Sequence, residues 1–273
     1  MSERQSRLDR ALGPGRRRPS GPRPLADTLV FAWRAILKIR HNPEQAFDVV
    51  VTPIMFTVMF TYLFGGALVG STEAYLQFLL PGILVQTVMF TSIYTGFTLN
   101  QDIKRGVFDR FRAMPIWRPA PLAGAILGDV LRYTASALLV FGVGFVMGYR
   151  AEGGAGAVIV ALVLLNIFAL GIGWIFTAVA LMVRTPGTVM TLSWLVLMPV
   201  TFGSNIYVAP QTMPGWLQTF VTINPVSHIT TALRGVLDGA PALGATGLAL
   251  ITPLAVTALF APLSMWLYAR ERG

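Results

Sequence analysis

The sequence contains no cysteine and only two histidines, His41 and His228. Without cysteine the chain forms neither a disulfide nor a cysteine-ligated metal site. The two histidines lie too far apart along the chain to indicate a metal site. Charged residues are also scarce, since they make up 12% of the chain, about half the share found in soluble globular domains. The composition therefore argues against an ordinary soluble protein or metalloprotein.

The chain also lacks the residue patterns that bind ATP or carry catalysis. No G-x-x-x-x-G-K-[S/T] motif occurs, and neither lysine, Lys38 or Lys104, follows a glycine, so a P-loop is excluded. No nucleophile and general base form a recognisable arrangement. Asp129 is the one acidic residue within an apolar segment, whereas a proton- or sodium-coupled carrier is expected to have several. We therefore predict no catalytic residue, no metal and no cofactor in this chain, and a separate partner that supplies energy.

What the chain does have is long apolar segments. Hydrophobic residues make up 54% of it, and its mean hydropathy is +0.64. About 20 apolar residues in a helix cross the hydrocarbon core of a bilayer, where a helix satisfies its own backbone groups. We predict an all-α polytopic membrane protein with six transmembrane helices, the fifth marginal in length, at about 49–69, 77–99, 122–147, 156–183, 188–204 and 244–268.

The distribution of arginine and lysine predicts the orientation of these segments. With the N-terminus inside, 18 basic residues face the cytoplasm and two, Arg150 and Arg234, face outward. Because basic residues concentrate on the cytoplasmic side of membrane proteins, both termini are predicted to be cytoplasmic. The net charge of +9 does not indicate nucleic-acid binding, because the basic residues flank apolar segments instead of forming a stripe on a soluble domain.

The N-terminal region divides into a tail and a helix. Residues 1–24 are rich in proline, glycine and arginine, contain no apolar run typical of a signal peptide, and are predicted to be disordered. The segment Leu25–Arg40 has apolar residues at helical spacing, Asp27 or Thr28 as its cap, and Pro43 beyond its end. Its basic residues favour a helix that lies along the membrane interface and contacts lipid. Residues 25–273 are predicted to form a single transmembrane domain.

A charged stretch, DIKRGVFDRFRAMPIWRPAP (Asp102–Pro121), separates the second and third predicted spans. We predict a short cytoplasmic helix over Asp102–Met114, ended by Pro115. Its apolar stripe consists of Ile103, Val107, Phe111 and Met114. An amphipathic helix of mixed charge suits either lipid headgroups or a groove on a partner protein. The pattern of residues leaves both interpretations open.

Four blocks of sequence are similar, in order, to type-2 ABC exporter permeases of the daunorubicin/doxorubicin-resistance branch. They are AWRAILKIRHNPEQAFDVVVTPIMFTVMF, YLQFLLPGILVQTVMF, GVFDRFRAMPIWRPAPLAGAILGDVLRY and SNIYVAPQTMPGWLQTFVTINPVSHITTALRG. They extend over nearly the whole chain beyond residue 25. The resemblance implies a permease of the bacterial plasma membrane that forms a homodimer. It also implies two ABC ATPase subunits per complex, which hold the ATP and magnesium.

The resemblance also implies roles for individual residues. In that family the interfacial helix and the cytoplasmic coupling helix contact the ATPase, which implies docking by Trp33, Arg34, Ile103, Val107, Phe108, Phe111, Arg112 and Met114. Spans two and five line the pathway in that family, which implies substrate contacts by Gln86, Thr91, Tyr94, Thr191, Trp194 and Thr201. Threonines within spans also pair between helices, so packing is the alternative for each of them.

The segment Ser204–Leu243 is too polar and too broken to span a membrane. It is predicted to form two short helices that meet at Asn224–Pro225. An ordinary outer loop is the alternative, whereas the resemblance implies two re-entrant helices that cap the path. The residues of interest are Trp216, Asn224, Pro225, His228 and Arg234. Of these, His228 and Arg234 are interpreted as structural ahead of substrate-contacting, because a re-entrant turn has free carbonyls to satisfy.

Asp129 and Arg132 stand one helical turn apart in the third predicted span. We interpret them as a local ion pair near the cytoplasmic boundary, with the arginine side chain reaching toward the headgroups. A role in gating or substrate passage is the alternative.

A path with hydroxyl groups, aromatic rings and no fixed charge suits a large amphipathic molecule better than an ion. With the resemblance, this predicts the membrane subunit of an ATP-driven exporter of small amphipathic drug-like or antibiotic molecules, of anthracycline or polyketide type. Export of a lipid or glycan precursor by a member of the same family is one alternative. A stand-alone secondary carrier without an ATPase is the other.

Overall fold

All regular structure in the described part of the chain is helical. The computed structural model describes residues 24–40, 43–107, 117 and 120–270, so the predicted disordered tail lies almost wholly outside it. These residues form no strand. Their nine α-helices are α1 (Pro24–Arg40), α2 (Pro43–Val69), α3 (Thr72–Lys104), α4 (Ala120–Val146), α5 (Gly154–Met182), α6 (Pro186–Phe202), α7 (Gly215–Ile223), α8 (Pro225–Leu237) and α9 (Leu243–Arg270).

The predicted helical membrane architecture is confirmed in outline. Five of the described helices, α2, α3, α4, α5 and α9, are long and apolar enough to cross a membrane, and α6 is apolar but has 17 residues. The second span is longer than predicted, because α3 extends over Thr72–Lys104, whereas the apolar span within α2, Val50–Val69, agrees with the predicted bounds. At the far end of α3 the Asn100 amide donates to the carbonyls of Ala180 (2.8 Å) and Val183 (2.7 Å) on α5. These hydrogen bonds pair the Asn100 amide N–H groups within the helix bundle, although hydropathy alone places Asn100 outside the span.

The central helix of the protein is α3. It packs against α2, α4, α5, α6 and α8, and 89% of its most apolar stretch is buried. The corresponding stretches of α2 and α9 are only 22% and 17% buried. In a membrane protein such exposed apolar side chains face lipid or another protein chain. Neighbouring helices therefore shield α3, and any cavity between them is formed largely on its surface.

The end of α3 corrects the prediction for the cytoplasmic helix. Gly106 has a left-handed backbone (φ 64°), and its N–H donates to the Ile103 carbonyl at 3.0 Å, which closes α3. A helical residue follows at Val107. A single helix over Asp102–Met114 is therefore wrong at its start, because Ile103 belongs to α3 and does not share a helix with Val107. The other predicted docking residues of this stretch lie outside the described residues: Phe108, Phe111, Arg112 and Met114.

The predicted N-terminal helix is confirmed as α1, and it packs closely on α4. The contact depends on Gly124, where an added Cβ would lie 2.4 Å from the Phe31 Cβ and 2.7 Å from the Thr28 carbonyl oxygen. No side chain larger than hydrogen fits there without a shift of the helices. The opposite side of α1 is exposed and apolar, and it includes Leu29 and Trp33. Such a face suits an interfacial helix.

The predicted pair of short helices between the last two long segments is confirmed as α7 and α8. Asn224 separates them, and Pro225 is the first residue of α8. The Asn224 Oδ1 accepts from the Val226 N–H at 2.9 Å, and its Nδ2 donates to the carbonyls of Val200 (2.7 Å) and Gly203 (2.8 Å). One side chain thus caps α8 and ties it to the end of α6.

The C-terminal helix α9 packs chiefly against α5, with a further contact to α8. At the α5 contact an added Cβ on Gly171 would lie 2.9 Å from the Pro253 Cα. Small residues at such a crossing let two helix backbones approach closely within a membrane.

Candidate functional site: a cavity between α2, α3 and α6

A cavity of about 180 Å³ lies where α2, α3 and α6 meet. Four of the six predicted path residues line it, namely Gln86, Thr91, Tyr94 and Trp194. The other two do not: Thr191 is exposed on another part of α6, and Thr201 is buried nearer its end. The complete lining consists of Thr52, Pro53, Phe56, Ile83, Gln86, Thr87, Phe90, Thr91, Ile93, Tyr94, Met190 and Trp194.

Aromatic rings form much of the cavity wall. The Phe90 ring lies 4.7 Å from Trp194 and 6.4 Å from Phe56, measured between ring centroids. Phe56 in turn stacks on Phe60 at 5.6 Å. Rings at these separations pack favourably against one another and offer flat apolar surfaces to a ligand. The wall thus suits a molecule that is itself flat and apolar over part of its surface.

The polar groups of the cavity wall are neutral. No charged side chain is among the described lining residues. The Thr87 hydroxyl donates to the Ile83 carbonyl of its own helix at 2.7 Å, an arrangement common for threonines in membrane helices. Gln86 accepts a hydrogen bond from the Tyr207 hydroxyl at 2.7 Å. A site of this kind binds neutral polar groups, and nothing in it compensates an inorganic ion.

The α2 side of the cavity was missed by the sequence prediction. Thr52, Pro53 and Phe56 belong to the first long apolar segment, and their side chains line the cavity together with those of α3. The signal for them is weak, because a single threonine next to a proline also occurs in segments that face lipid. Their contribution follows from packing between helices, which no pattern within α2 specifies.

Asp129 and Arg132 form the predicted ion pair, with 2.8 Å between Arg132 Nη2 and Asp129 Oδ1. The predicted reach of the arginine toward the headgroups is wrong, because both residues are buried. Arg132 Nη2 also donates to the Thr91 carbonyl and to Thr95 Oγ1 of α3, each at 3.2 Å. Thr95 is further hydrogen-bonded to Asp129 and to the Tyr133 hydroxyl. The pair therefore joins α4 to α3 beside the cavity, since Thr91, whose carbonyl accepts from Arg132, is one of the lining residues.

Arg234 on α8 ties the segment between α6 and α8 to α3. Its guanidinium donates to the Phe78 carbonyl (3.0 Å) and to those of Asn205 (2.8 Å) and Ile206 (3.1 Å), and it lies 3.7 Å from the Phe78 ring centroid. His228 is partly buried on α8. Trp216 is exposed on α7, where an aromatic ring suits the membrane interface.

The predicted docking residues that the structure describes lie on α1 (Trp33 and Arg34), at the end of α3 (Ile103) and just beyond it (Val107). Arg34 Nη2 is 3.5 Å from Asp102 Oδ2, and the Trp117 backbone N–H donates to Asp27 Oδ2 at 2.8 Å. Trp33 is 62% exposed on α1. Ile103 and Val107 are partly buried. The two polar contacts join α1 to both ends of the stretch between α3 and α4.

Comparison with known proteins gives matches along most of the chain. Residues 27–237 match the family described as ABC-2 type transporter. The chain is 46% identical over 256 residues to the daunorubicin resistance ABC transporter permease protein DrrB1 of Streptomyces coeruleorubidus, covering 94% of this chain and 90% of that protein. It is 26% identical over 220 residues to the probable doxorubicin resistance ABC transporter permease protein DrrC of Mycobacterium tuberculosis, covering 80% and 79%. It is 23% identical over 216 residues to the putative transport permease ycf38 of Cyanophora paradoxa, covering 77% and 73%.

The family match includes every residue that lines the cavity and all the predicted docking residues. It ends at the last residue of α8. The relative from Streptomyces extends the similarity over nearly the whole chain. Several helices of the length and apolarity needed to cross a membrane accompany these matches. The chain therefore belongs to the ABC-2 type transporter family and is a multi-pass membrane permease of that family.

Proposed function

We propose that the chain is the transmembrane subunit of an ATP-driven exporter that moves small amphipathic, drug-like molecules out of a bacterial cell. The observation that carries the proposal is the uncharged, aromatic-walled cavity between α2, α3 and α6. It occurs in a permease whose relative, at 46% identity, is described as a daunorubicin resistance permease. An amphipathic molecule places its flat apolar part on such walls, and its polar groups meet the threonine and glutamine side chains.

The proposed membrane arrangement has six spans, which are α2 to α6 and α9. A helix of 17 residues such as α6 is about 25 Å long, near the lower limit for a span. Six crossings put both termini on one side, and the distribution of 18 basic residues against two makes that side the cytoplasm. The short helices α7 and α8 then lie at the outer side, re-entering the outer leaflet and closing the path.

The proposed energy source is a separate ABC ATPase, bound on the cytoplasmic side. Its docking surface is formed by Trp33 and Arg34 on α1 and by the stretch from Ile103 onward, which includes Val107. Trp33 is an exposed aromatic residue of this surface, and tryptophans that become buried on binding often dominate the binding energy of protein interfaces. Two ATPase subunits and a second copy of this chain would complete the transporter.

The contacts inside the permease give a route from this docking surface to the cavity. Force on α1 reaches α4 through the close contact at Gly124 and reaches α3 through Arg34 and Asp102. The buried Asp129–Arg132 pair then holds α4 to α3 beside Thr91. Because α3 forms most of one cavity wall, its movement changes the cavity's shape. We propose that ATP-driven closure of the ATPase subunits opens the path outward in this way.

The proposal is tested with the permease co-purified with its ATPase and reconstituted into liposomes. Daunorubicin is expected to stimulate ATP hydrolysis by the complex. Trp33→Asp places a charge in the docking surface and is expected to reduce co-purified ATPase by about 30-fold, as loss of an interface tryptophan does. Trp216→Asp makes the same change on the exposed surface of α7 and is expected to leave association intact.

Each result has a defined meaning for the proposal. Failure of any ATPase to associate with the unmodified permease would show a stand-alone carrier and would refute the proposal. Stimulation by lipid or glycan precursors but not by daunorubicin would assign the transporter to those substrates instead. Full association in both Trp33→Asp and Val107→Asp would refute the docking surface.

A further inference from the structure

One residue that lines the cavity carries a buried hydrogen-bond donor that has no acceptor among the described residues. Gln86 is 2% exposed and lines the cavity. Its Oε1 accepts from the Tyr207 hydroxyl at 2.7 Å, whereas its Nε2 is buried and has no partner among the described residues. Buried polar groups are nearly always hydrogen-bonded, and those that are not frequently belong to a functional site.

The orientation of the Gln86 amide follows from the groups around it. With Oε1 toward Tyr207, the tyrosine proton and the amide oxygen satisfy each other. The reversed amide would donate to the tyrosine oxygen and leave both the tyrosine proton and Oε1 without a described partner. The first orientation leaves one unpaired group instead of two, so the unpaired group is the NH₂.

Tyr207 is itself held in place by its surroundings. Its ring stacks on Phe60 with 4.6 Å between centroids and on Phe202 with 5.1 Å. Its backbone carbonyl accepts from the Tyr75 hydroxyl at 3.0 Å. A tyrosine packed against two aromatic rings presents its hydroxyl in one direction. It therefore holds Oε1 of Gln86 toward Tyr207 and leaves the NH₂ on the other side of the amide of this cavity-lining residue.

The surroundings of this donor define what it binds. The Phe90 ring is in contact with those of Phe56 and Trp194, and no charged side chain is among the described lining residues. An amide NH₂ in such a place pairs with an uncharged acceptor oxygen. We propose that Gln86 Nε2 donates a hydrogen bond to a carbonyl or ether oxygen on the flat aromatic part of the transported molecule, with Tyr207 as the residue that positions the amide. This inference rests on the proposed function and names the chemical group that the path selects.

The test compares two flat tricyclic probes that differ only in one carbonyl group, fluorenone and fluorene. Their affinities for the purified permease–ATPase complex in lipid nanodiscs are measured by equilibrium dialysis. Fluorenone is expected to bind about tenfold more tightly, the contribution of one well-placed hydrogen bond. Gln86→Met keeps the side-chain volume but removes the donor, and it is expected to abolish the preference. Gln218→Met makes the same change on α7, outside the lining residues, and is expected to retain it.

Tyr207→Phe separates positioning from simple stability. It leaves the Gln86 amide in place but lets it rotate, so the preference for fluorenone is expected to fall to roughly threefold. The melting temperature of each variant complex is measured, and only variants that melt at the same temperature as the unmodified complex are compared. Loss of fold is then not mistaken for loss of the donor. An unchanged preference in Tyr207→Phe would remove the positioning role of the tyrosine.

The proposal is overturned if unmodified complex binds the two probes equally or binds neither. It is also overturned if folded Gln86→Met retains the tenfold preference. These outcomes are distinct from failure of the proposed function. A complex that binds its ATPase and responds to daunorubicin, yet does not discriminate between the probes, refutes the Gln86 assignment alone. A permease without any ATPase refutes the exporter.

Discussion

Asp129 and Arg132 show how far the position of a single residue depends on its neighbours. Their spacing of three residues predicts an ion pair on one helix face, and the pair is present. Its burial does not follow from the spacing, because the partners that accept from Arg132 are Thr91 and Thr95 on α3. Those contacts make burial of the guanidinium favourable where the sequence suggested a side chain that reaches the headgroups.

Removing one member of this pair is expected to be strongly destabilising. Arg132→Leu leaves Asp129 as a buried carboxylate without its cation, which costs about 3–5 kcal/mol in the free energy of unfolding. In the double variant Asp129→Leu with Arg132→Leu no charge is left unpaired, and most of that loss is expected to be regained. Thermal and denaturant unfolding of the detergent-solubilised protein, followed by tryptophan fluorescence, measures both effects.

The control for this experiment is Arg150→Leu, which removes an exposed arginine and is expected to change the free energy of unfolding by about 0.5 kcal/mol or less. A double variant less stable than Arg132→Leu would contradict the view that the two charges compensate each other.

At the scale of helices, the contact between α1 and α4 shows the limits of hydropathy. Helical spacing of apolar residues correctly predicts α1, and the exposed apolar face with Leu29 and Trp33 agrees with an interfacial helix. The identity of its packing partner was not predictable, since nothing in α1 indicates Gly124. The extension of α3 to Lys104 was missed for a related reason, because the acceptors for Asn100 lie on α5. The break at Gly106 did have a signal, since glycine commonly ends a helix.

A methyl group at Gly124 is expected to push α1 away from α4. In Gly124→Ala the new Cβ meets Phe31 and the Thr28 carbonyl well inside van der Waals distance, and overpacking of this kind costs about 1–3 kcal/mol. Because α1 belongs to the docking surface, drug-stimulated ATP hydrolysis by the reconstituted complex is expected to fall as well. The melting temperature and the stimulated ATPase rate are measured on the same preparation.

Gly142→Ala on the same helix is the matched control. A Cβ added there meets nothing within 4 Å, so the variant is expected to be neutral or more stable by up to about 1 kcal/mol. Equal behaviour of the two variants would show that the α1–α4 contact is not needed for coupling.

At the scale of the whole molecule, hydropathy predicted which segments enter the membrane but not which of them meet. The cavity joins Thr52 of α2 with Gln86 of α3 and Trp194 of α6. The family resemblance pointed to residues of α3 and α6 that line this cavity, while the lining residues of α2 were not predicted. Contacts between helices distant in sequence are decided by packing, and a single sequence carries little information on them.

The crossing of α6 is the whole-molecule feature that decides between five and six spans. The chain has no cysteine, so Arg184→Cys and Gln211→Cys each introduce a unique thiol, on exposed residues before and after α6. A membrane-impermeant maleimide added to intact cells is expected to label Gln211→Cys within minutes. Arg184→Cys is expected to react only after the membrane is permeabilised.

The unmodified protein, which cannot be labelled, supplies the background for this measurement. Labelling of both cysteines from the same side of the membrane would show that α6 does not cross, and the arrangement with six spans and two cytoplasmic termini would have to be abandoned.

The packing of α9 on α5 at Gly171 and Pro253 has a consequence for biosynthesis. During translation α5 enters the membrane before α9 exists, so its packing face contacts lipid until the last helix has been made. α5 has the highest mean hydropathy of the five long helices, 2.6, and a helix of that apolarity is stable in lipid alone. The apolarity of α5 therefore allows it to remain in lipid until α9 has been made.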